Sequence, residues 1–247
     1  MATADDHRLA ASAASDAGQT LNTLQQDLLH GRITGVSWWD DHGDEIGHNM
    51  LVERFGADRP HDGLLSEEGA DDRQRLGDDR VWIVDPLDGS SDFGRGAGDW
   101  AVHVALTEGG VATAGAVSLP AAGSVFSTQL PATVPDRNGR RPVVVAGRSR
   151  VRWDGVRVAE AIDASLMTCG SAGVKAMLVV MGEADVYIHG GPLYEWDVCA
   201  PAVVAEAAGL HVSDARGHRL VYNKNRPVAP GFIVCRPEFA AATIDAL

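Results

Sequence analysis

The spacing of apolar residues predicts two differently built halves of the chain. In the first half, helical periodicity over residues 5–29 and 45–54 is followed by short apolar runs that are typical of strands. The predicted strands lie near Leu64, Val81, Ala101, Ala112 and Ser124. Because turn residues separate these runs, we expect them to form an antiparallel meander.

Beyond a polar, turn-rich link at residues 135–139, strands and helices alternate. The predicted strands cover residues 143–146, 166–168, 185–188 and 232–235, and the predicted helices cover residues 155–164, 171–181 and 197–208. Such alternation is typical of a layered α/β arrangement. The sequence therefore predicts an α/β protein with an α+β half, residues 1–138, and an α/β half, residues 139–247.

Composition agrees with a globular enzyme of this size. A chain of 247 residues with 45% hydrophobic content can bury a large core, and a formal net charge of −13 argues against a nucleic-acid-binding surface. Residues 109–135 carry no charge, but Gly, Pro, Ser and Thr interrupt them too often for a membrane span. The start lacks the basic and apolar regions of a signal peptide, and the three cysteines show no paired spacing. We therefore expect a cytoplasmic protein without a membrane segment.

The most informative chemistry lies where an apolar run, residues 81–84, ends in two carboxylates. We expect that strand to stop at Asp85, because Pro86 has no N–H to donate to a sheet ladder. Asp88 can then turn back toward the same point, and the Leu87 carbonyl is a further hard oxygen of the kind that Mg²⁺ accepts. The alternative is an Asx turn with two solvated aspartates, which is equally common for this pattern.

Neighbouring residues extend this pattern toward a phosphate site. Gly89 allows a ligand to approach the backbone closely, and the amides and hydroxyls of Ser90 and Ser91 are available to phosphate oxygens if a helical turn begins there. Two other apolar segments also meet carboxylates, at Glu67 and at Asp197. An aspartate at a helix start is usually only an N-cap, although it can cap and bind metal at once.

Together, residues 66–68, 85–90 and 196–197 resemble the inositol monophosphatase superfamily of Mg²⁺-dependent, lithium-sensitive phosphatases. The resemblance extends from about residue 44 to residue 236 and implies an αβαβα sandwich. Within the superfamily the chain is most similar to the CysQ-type enzymes, which remove the 3′-phosphate from 3′-phosphoadenosine 5′-phosphate. Residues 170–175 and 195–197 carry this closer likeness, and residues 80–83 and 99–103 look like actinobacterial members.

The resemblance implies a set of metal ligands for two Mg²⁺ ions. These ligands are Glu67, Asp85, the Leu87 carbonyl, Asp88 and Asp197. Asp85 would bridge the two ions, and Asp44 occupies the place of an acidic residue near the water shell of a third. Glu67 and the Ser90 hydroxyl would position the attacking water.

The resemblance also implies contacts to substrate. The candidate contacts are Gly89, Ser90, Ser91, Ser171, Lys175, Arg150 and His189. Lys175 with Ser171 would meet the second phosphate of a bisphosphorylated nucleotide, although a lysine in an apolar helix can instead run its stem along the surface toward water. His189 stands where inositol phosphatases carry a carboxylate, which argues mildly against inositol.

These features predict a phosphomonoesterase that acts on a small phosphorylated substrate, a nucleotide by the closer likeness, and, by family likeness only, a homodimer. One alternative is the same chemistry on inositol monophosphate, fructose 1,6-bisphosphate or a phosphorylated intermediate of a specialised pathway. Another is a metal-binding regulatory protein without turnover. Ser90, in a position where the family commonly has threonine, is the only feature that favours this last class.

Overall fold

The structure is a computed structural model that describes residues 1–34, 39–71, 73–148 and 152–247. The helices are α1 (Ala4–Leu29), α2 (Trp39–Asp58), α3 (Ser90–Gly94), α4 (Arg152–Ala161), α5 (Ala172–Val180), α6 (Glu195–Ala207) and α7 (Ala240–Asp245). The strands are β1 (Gly63–Ser66), β2 (Arg80–Asp88), β3 (Ala101–Glu108), β4 (Val111–Leu119), β5 (Ser124–Ser127), β6 (Val143–Gly147), β7 (Ser165–Cys169), β8 (Val186–His189), β9 (Leu193–Tyr194), β10 (His211–Ser213), β11 (Val228–Ala229) and β12 (Phe232–Cys235). Within the described ranges, every helix is too short or too polar to span a bilayer.

Five layers stack in the order helices, sheet, helices, sheet, helices. The first sheet has the strand order β1-β2-β3-β4-β5, and the second has the order β10-β12-β8-β6-β7. Helices α1 and α2 cover the outer face of the first sheet, α5 and α6 lie between the sheets, and α4 and α7 cover the second sheet. The αβαβα sandwich is therefore confirmed. The boundary at residue 138 stays a prediction, since α5 and α6 pack against both sheets.

Apolar side chains fill the spaces between the layers. Beneath α1 and α2, Trp82 and Trp100 are fully buried, and Phe55 packs 4.6 Å from the Trp82 ring. Helix α1 begins at a capping box in which Thr3 and Asp6 satisfy each other's backbone amides. Its sheet-facing side is mostly alanine and leucine, so the helix lies close to the strands that carry the candidate site.

The first sheet departs from the expected meander at β1. Strands β2 to β5 are antiparallel neighbours as predicted, but β1 pairs with β2 in parallel, with Ser66 beside Val84. A parallel pair needs a crossover of about a dozen residues, and residues 67–79 provide it. The parallel pairing brings the carboxyl ends of both strands to one edge, so Glu67 emerges beside Asp85.

The prediction that β2 stops at Asp85 is wrong, because the strand continues to Asp88. Its register with β3 shifts between Asp85, which lies opposite His103, and Asp88, which lies opposite Ala101. This bulge accommodates Pro86, since a bulged residue is left out of the hydrogen-bond ladder. It also changes the alternation of side chains, so two carboxylates three residues apart can face the same point.

In the second sheet, β7, β6 and β8 run parallel, and their carboxyl ends therefore meet at one edge. The predicted elements of this half are present with shifted ends; α4, for example, begins at Arg152 rather than at residue 155. In the first half, α2 begins at Trp39 rather than at residue 45. The sequence did not predict α7 or the short strands β9, β10 and β11, because elements of two to six residues show too little periodicity.

Helix α6 begins two residues earlier than predicted. Tyr194 is its N-cap, and Asp197 is the third helical residue, where its Oδ2 accepts a hydrogen bond of 2.9 Å from the Tyr194 amide. Asp197 therefore caps the helix from within rather than from its start. Pro201 lies inside the same helix and has no N–H, so the helical hydrogen bond to the Asp197 carbonyl is missing.

Candidate active site

Three carboxylates from distant parts of the chain meet beside the first turn of α6. Oxygens of Asp85, Asp88 and Asp197 all lie within 4.8 Å of one another. Asp85 is fully buried, and Asp88 is 8% exposed. Negative charges crowded in a poorly hydrated place repel one another strongly, and a bound cation relieves that repulsion.

Asp85 is the least satisfied member of this cluster. Its Oδ1 accepts a hydrogen bond of 3.0 Å from the Leu87 amide, whereas its buried Oδ2 has no hydrogen-bond partner among the described residues. Burial raises the pKa of Asp85 well above its usual value, and the charges of Glu67, Asp88 and Asp197 raise it further. A buried, unpartnered carboxylate oxygen facing other carboxylates fits a hard divalent cation such as Mg²⁺.

Asp88 is held in place by two hydrogen-bond donors, and an imidazole ring lies beside it. Its Oδ2 accepts hydrogen bonds from the Ser171 hydroxyl at 2.5 Å and the Gly173 amide at 2.7 Å, and His103 Nε2 lies 3.2 Å away. Burial acts to raise the pKa of Asp88, but His103, Lys175 and Ser171 outweigh it and lower the pKa. The carboxylate therefore stays ionised, and its Oδ1 can coordinate a metal.

His103 is a site residue that the sequence did not single out. It is fully buried on β3, with Nδ1 3.0 Å from the Trp196 carbonyl and Nε2 facing Asp88. Burial acts to lower the pKa of His103, but contact with these two acceptors raises it overall. A Cβ at Gly173 would lie 2.1 Å from Nε2, so the ring needs a glycine beside it. A lone histidine in the otherwise apolar start of β3 was the available signal.

Asp197 is the member of the cluster that comes from the second half of the chain, and Glu67 is a further carboxyl from the first half. Burial raises the pKa of Asp197 to about 7, with further contributions from the charges of Asp88 and Glu67. Glu67 lies in an exposed loop after β1, outside the group of three, but its carboxyl faces that group. Burial of this carboxyl, followed by the charges of Asp88 and Glu68, raises its pKa.

Asp44 lies on α2, at the margin of this acidic region. Burial raises its pKa to about 7, and the charges of Glu68 and Glu67 add to that shift. The acidic groups that act on it most strongly are thus Glu68 and Glu67, followed by Asp40 and Asp41. The assignment of a third ion to Asp44 stays a prediction.

The turn after β2 presents backbone amides next to the carboxylates. Gly89 has a φ of 97°, and a Cβ there would lie 2.7 Å from the Asp99 carbonyl oxygen, so this position requires glycine. Gly89 is the N-cap of α3, as the expected helical turn demands, and Ser90 and Ser91 are its first two residues. Amides in a first helical turn have no intrahelical acceptor and can bind an anion.

Lys175 does not reach the surface. It is 5% exposed, and its Nζ donates hydrogen bonds to the Gly170 carbonyl at 2.7 Å and to the Ser171 carbonyl. Burial lowers the pKa of this ammonium group. The lysine therefore holds the turn that starts α5, where Ser171, at a φ of 38°, caps the helix through Val174.

The other predicted substrate contacts lie at the carboxyl edge of the second sheet or outside the described residues. His189 ends β8, and its pKa is lowered to about 4 by burial and then by the charge of Lys175. Arg150 falls outside the described residues. Its neighbour Arg148 donates a hydrogen bond of 2.8 Å to Asp92 and also pairs with Asp99. Contact of these groups with substrate stays a prediction.

Known proteins of one family are similar to this chain in sequence and in fold. The sequence pattern of the inositol monophosphatase family matches residues 41–246. The 3′-phosphoadenosine 5′-phosphate phosphatase of Mycobacterium leprae is 41% identical over 252 residues, which cover 95% of this chain and 90% of that protein. The 3′(2′),5′-bisphosphate nucleotidase CysQ of Escherichia coli is 30% identical over 205 residues, covering 77% of this chain and 82% of that protein.

Solved structures agree at the level of the fold. The crystal structure of CysQ from Bacteroides thetaiotaomicron has a TM-score of 0.75 and 24% identity, covering 94% of this chain and 97% of that chain. SuhB of Mycobacterium tuberculosis has a TM-score of 0.73 and 24% identity, covering 98% and 94%. With its family pattern, its relatives and its layered sandwich in agreement, this chain belongs to the inositol monophosphatase family.

Proposed function

We propose that this protein is a Mg²⁺-dependent phosphomonoesterase that removes the 3′-phosphate from 3′-phosphoadenosine 5′-phosphate or a similar bisphosphorylated nucleotide. The observation that carries this proposal is the meeting of Asp85, Asp88 and Asp197, with one buried oxygen of Asp85 left without a hydrogen-bond partner in the described part of the chain. The names of the mycobacterial and CysQ relatives support the nucleotide. By family likeness, we expect it to act in the cytoplasm as a homodimer that lithium inhibits.

The donor set suits two Mg²⁺ ions, because all of it is oxygen. The ligands are Glu67, Asp85, the Leu87 carbonyl, Asp88 and Asp197. When bound, the metal supplies positive charge for the phosphoryl oxygens and makes a water molecule more acidic. By family likeness Asp85 would contribute to both ions, and the charges of Glu67, Asp88 and Asp197 all act on it.

The remaining groups orient the reactants. Glu67 and the Ser90 hydroxyl hold the attacking water, and the Gly89, Ser90 and Ser91 amides bind the phosphate at the start of α3. Asp88 keeps its position through Ser171 and Gly173, so a ligand of the first half is fixed by the second half. Water attacks phosphorus directly while the bond between phosphorus and the 3′-oxygen breaks, so inorganic phosphate and the nucleoside 5′-phosphate leave and no covalent enzyme intermediate is needed.

The nucleoside and second phosphate lie toward the carboxyl edge of the second sheet. Ligands of open α/β sheets bind at this edge, where β6, β7 and β8 end. Ser171, Lys175, His189 and Arg150 are the proposed contacts. His189 is uncharged near neutral pH because its pKa is lowered, so it offers a hydrogen bond or a ring face rather than a charge.

Phosphate release from a small substrate panel tests the proposal. The panel contains 3′-phosphoadenosine 5′-phosphate, adenosine 3′-monophosphate, inositol 1-phosphate and fructose 1,6-bisphosphate, each with Mg²⁺ and with a chelator. We expect Mg²⁺-dependent release that is fastest from the bisphosphorylated nucleotide. Faster release from inositol 1-phosphate or fructose 1,6-bisphosphate would show that the substrate is not a nucleotide. No release from any ester would favour a regulatory protein.

A further inference from the structure

Four residues form a hydrogen-bonded chain between the two halves, close to the candidate metal ligands, and one of them, Asn223, bonds through both its side chain and its backbone N–H. They are Asp71, Arg75, Asn223 and Glu195, and we call this set the latch. We propose that the latch is a positioning unit, which holds the segments that carry Glu67 and Asp197 at the separation that Mg²⁺ binding needs. The inference rests on the proposed function, because it assigns a role toward the metal of that site.

The first link of the latch lies within the first half. Arg75 is 2% exposed, although arginine is rarely buried without a partner. Its Nε donates to Asp71 Oδ1 at 3.0 Å, and its Nη2 donates to Asp71 Oδ2 at 2.6 Å. Such a two-point contact fixes both the position and the orientation of the carboxylate. Asp71 follows Glu67 by four residues in the loop after β1, so this link holds that loop.

The second link crosses to the other half. Arg75 Nη1 donates to Asn223 Oδ1 at 2.6 Å, and Asn223 Nδ2 donates back to the Arg75 carbonyl at 3.0 Å. The guanidinium also contacts the Lys224 carbonyl at 3.3 Å. Asn223 has a φ of 56°, a conformation that asparagine tolerates better than most residues. The contact joins residues 148 positions apart in the chain.

The third link ends on the helix that carries Asp197. Glu195 is fully buried at the start of α6, and its Oε2 accepts a hydrogen bond of 2.8 Å from the backbone N–H of Asn223. Its Oε1 accepts one of 3.3 Å from the Lys224 amide, and the Lys224 ammonium lies 3.5 Å from the same oxygen. A buried carboxylate is costly unless it is bonded in this way, so the arrangement constrains where α6 can begin.

The two ends of the latch thus act on two ligands that belong to different halves. Asp71 lies four residues after Glu67, and Glu195 lies two residues before Asp197. Partners that orient metal ligands without touching the metal commonly change metal affinity by about 10- to 100-fold when they are lost. A purely structural network would instead change stability and leave Mg²⁺ affinity unaltered, and that difference makes the role measurable.

The test compares Mg²⁺ affinity in two latch variants of the full chain. Asn223→Gly removes the side-chain link while keeping a residue that adopts a positive φ, and Arg75→Lys keeps the charge but loses the two-point contact. Isothermal titration calorimetry with Mg²⁺ alone should show about tenfold weaker binding in each variant. Phosphate release should then need correspondingly more Mg²⁺ to reach half its maximum.

The matched control is Arg140→Lys. Arg140 also makes a two-point contact with a buried aspartate, Asp185, at 2.8 and 3.1 Å. Asp185 directly precedes β8 and so lies at the opposite end of that strand from His189. This variant should lower the melting temperature while leaving the Mg²⁺ dissociation constant within about twofold of the parent.

Four outcomes would overturn the inference. Wild-type Mg²⁺ affinity in both folded latch variants would make the latch structural, as would an equal loss of affinity in Arg140→Lys. Failure of both latch variants to fold, judged by circular dichroism, would assign these residues to folding rather than to positioning. If the parent chain itself binds no Mg²⁺, the metal site of the proposed function fails, and the latch fails with it.

Discussion

The metal side and the substrate side of the site satisfy their polar groups in opposite ways. On the metal side, Asp85 keeps a buried oxygen without a partner among the described residues, and the charges around it raise its pKa. On the substrate side, Lys175 and Ser171 donate their hydrogen bonds to other groups of the protein, the Gly170 carbonyl and the Asp88 carboxylate. The first region thus leaves an oxygen available to the proposed cation, whereas the polar groups of the second are bonded within the protein.

This contrast separates residues that are available to bind a ligand from residues that stabilise the local structure. An unsatisfied buried group costs stability, so it is retained where a ligand compensates that cost. A satisfied group can serve substrate only by keeping another group in place or by exchanging partners. Variants on the two sides should therefore differ in the kind of effect as well as in its size.

The largest effect is expected from Asp85→Asn. The amide keeps the volume of the side chain but removes the negative charge of Asp85 that would hold the proposed ions, so kcat should fall at least about a thousandfold. Phosphate release under saturating Mg²⁺ measures this. Asp163→Asn, a change at an exposed aspartate with a side chain 92% accessible, is the control. Near-normal turnover of Asp85→Asn would remove the two-metal arrangement.

A smaller loss is expected from Gly89→Ala. The added methyl group would lie 2.7 Å from the Asp99 carbonyl oxygen, and the φ of 97° is strained for alanine. Displacement of the phosphate-binding turn should lower kcat/KM by about 10- to 100-fold. Gly31→Ala is the matched control, because Gly31 also has a positive φ but has no atom within 4 Å of the added Cβ. Equal losses in both variants would trace the effect to backbone strain alone.

Lys175→Met probes the substrate side with a more selective effect. Methionine retains the buried stem and removes the ammonium group. If Lys175 senses a second phosphate, KM for 3′-phosphoadenosine 5′-phosphate should rise about tenfold more than KM for adenosine 3′-monophosphate. Steady-state kinetics with both substrates give the ratio. An equal rise in KM for both substrates would mean that Lys175 only stabilises the turn at Gly170 and Ser171.

The smallest effect concerns stability and pH. The pKa values of Asp44 and Asp197 are raised to about 7 from an ordinary value of 3.8. The folded state therefore holds protons that the unfolded chain has lost, so the metal-free protein should lose stability as the pH rises from about 4 to about 7. Differential scanning fluorimetry should show a melting temperature that falls by a few degrees over this range. Mg²⁺ should remove the fall, and parallel profiles with and without the ion would contradict it.

Local patterns in the sequence predicted most of the metal side. The strand before Asp85, the turn at Gly89 and the helix after Asp197 are each visible within a dozen residues, and the family resemblance links them. The parallel pairing of β1 and β2 was missed, because an apolar run does not reveal the direction of its partner. For the same reason no local signal showed that the bulge at Pro86 extends β2.

Contacts between distant residues were beyond sequence reasoning. His103 looks like one polar residue in a strand, and only the packing of Trp196 and Gly173 around it explains its place. Arg75 and Asn223 likewise carry no motif, although they join the two halves. Roles of this kind depend on which distant parts of the chain come together in the fold, and a single sequence read by itself does not show that.

Pro201 has a mechanical consequence for the helix that carries Asp197. Since Pro201 cannot donate to the Asp197 carbonyl, α6 has one hydrogen bond fewer just after its first turn than an unbroken helix and resists bending less there. The turns that follow are anchored by buried residues such as Val203 and Val204. Asp197 therefore lies where the helix can bend slightly within the limits that Glu195 sets, whereas Asp85 and Asp88 lie on a strand that is hydrogen-bonded to β3.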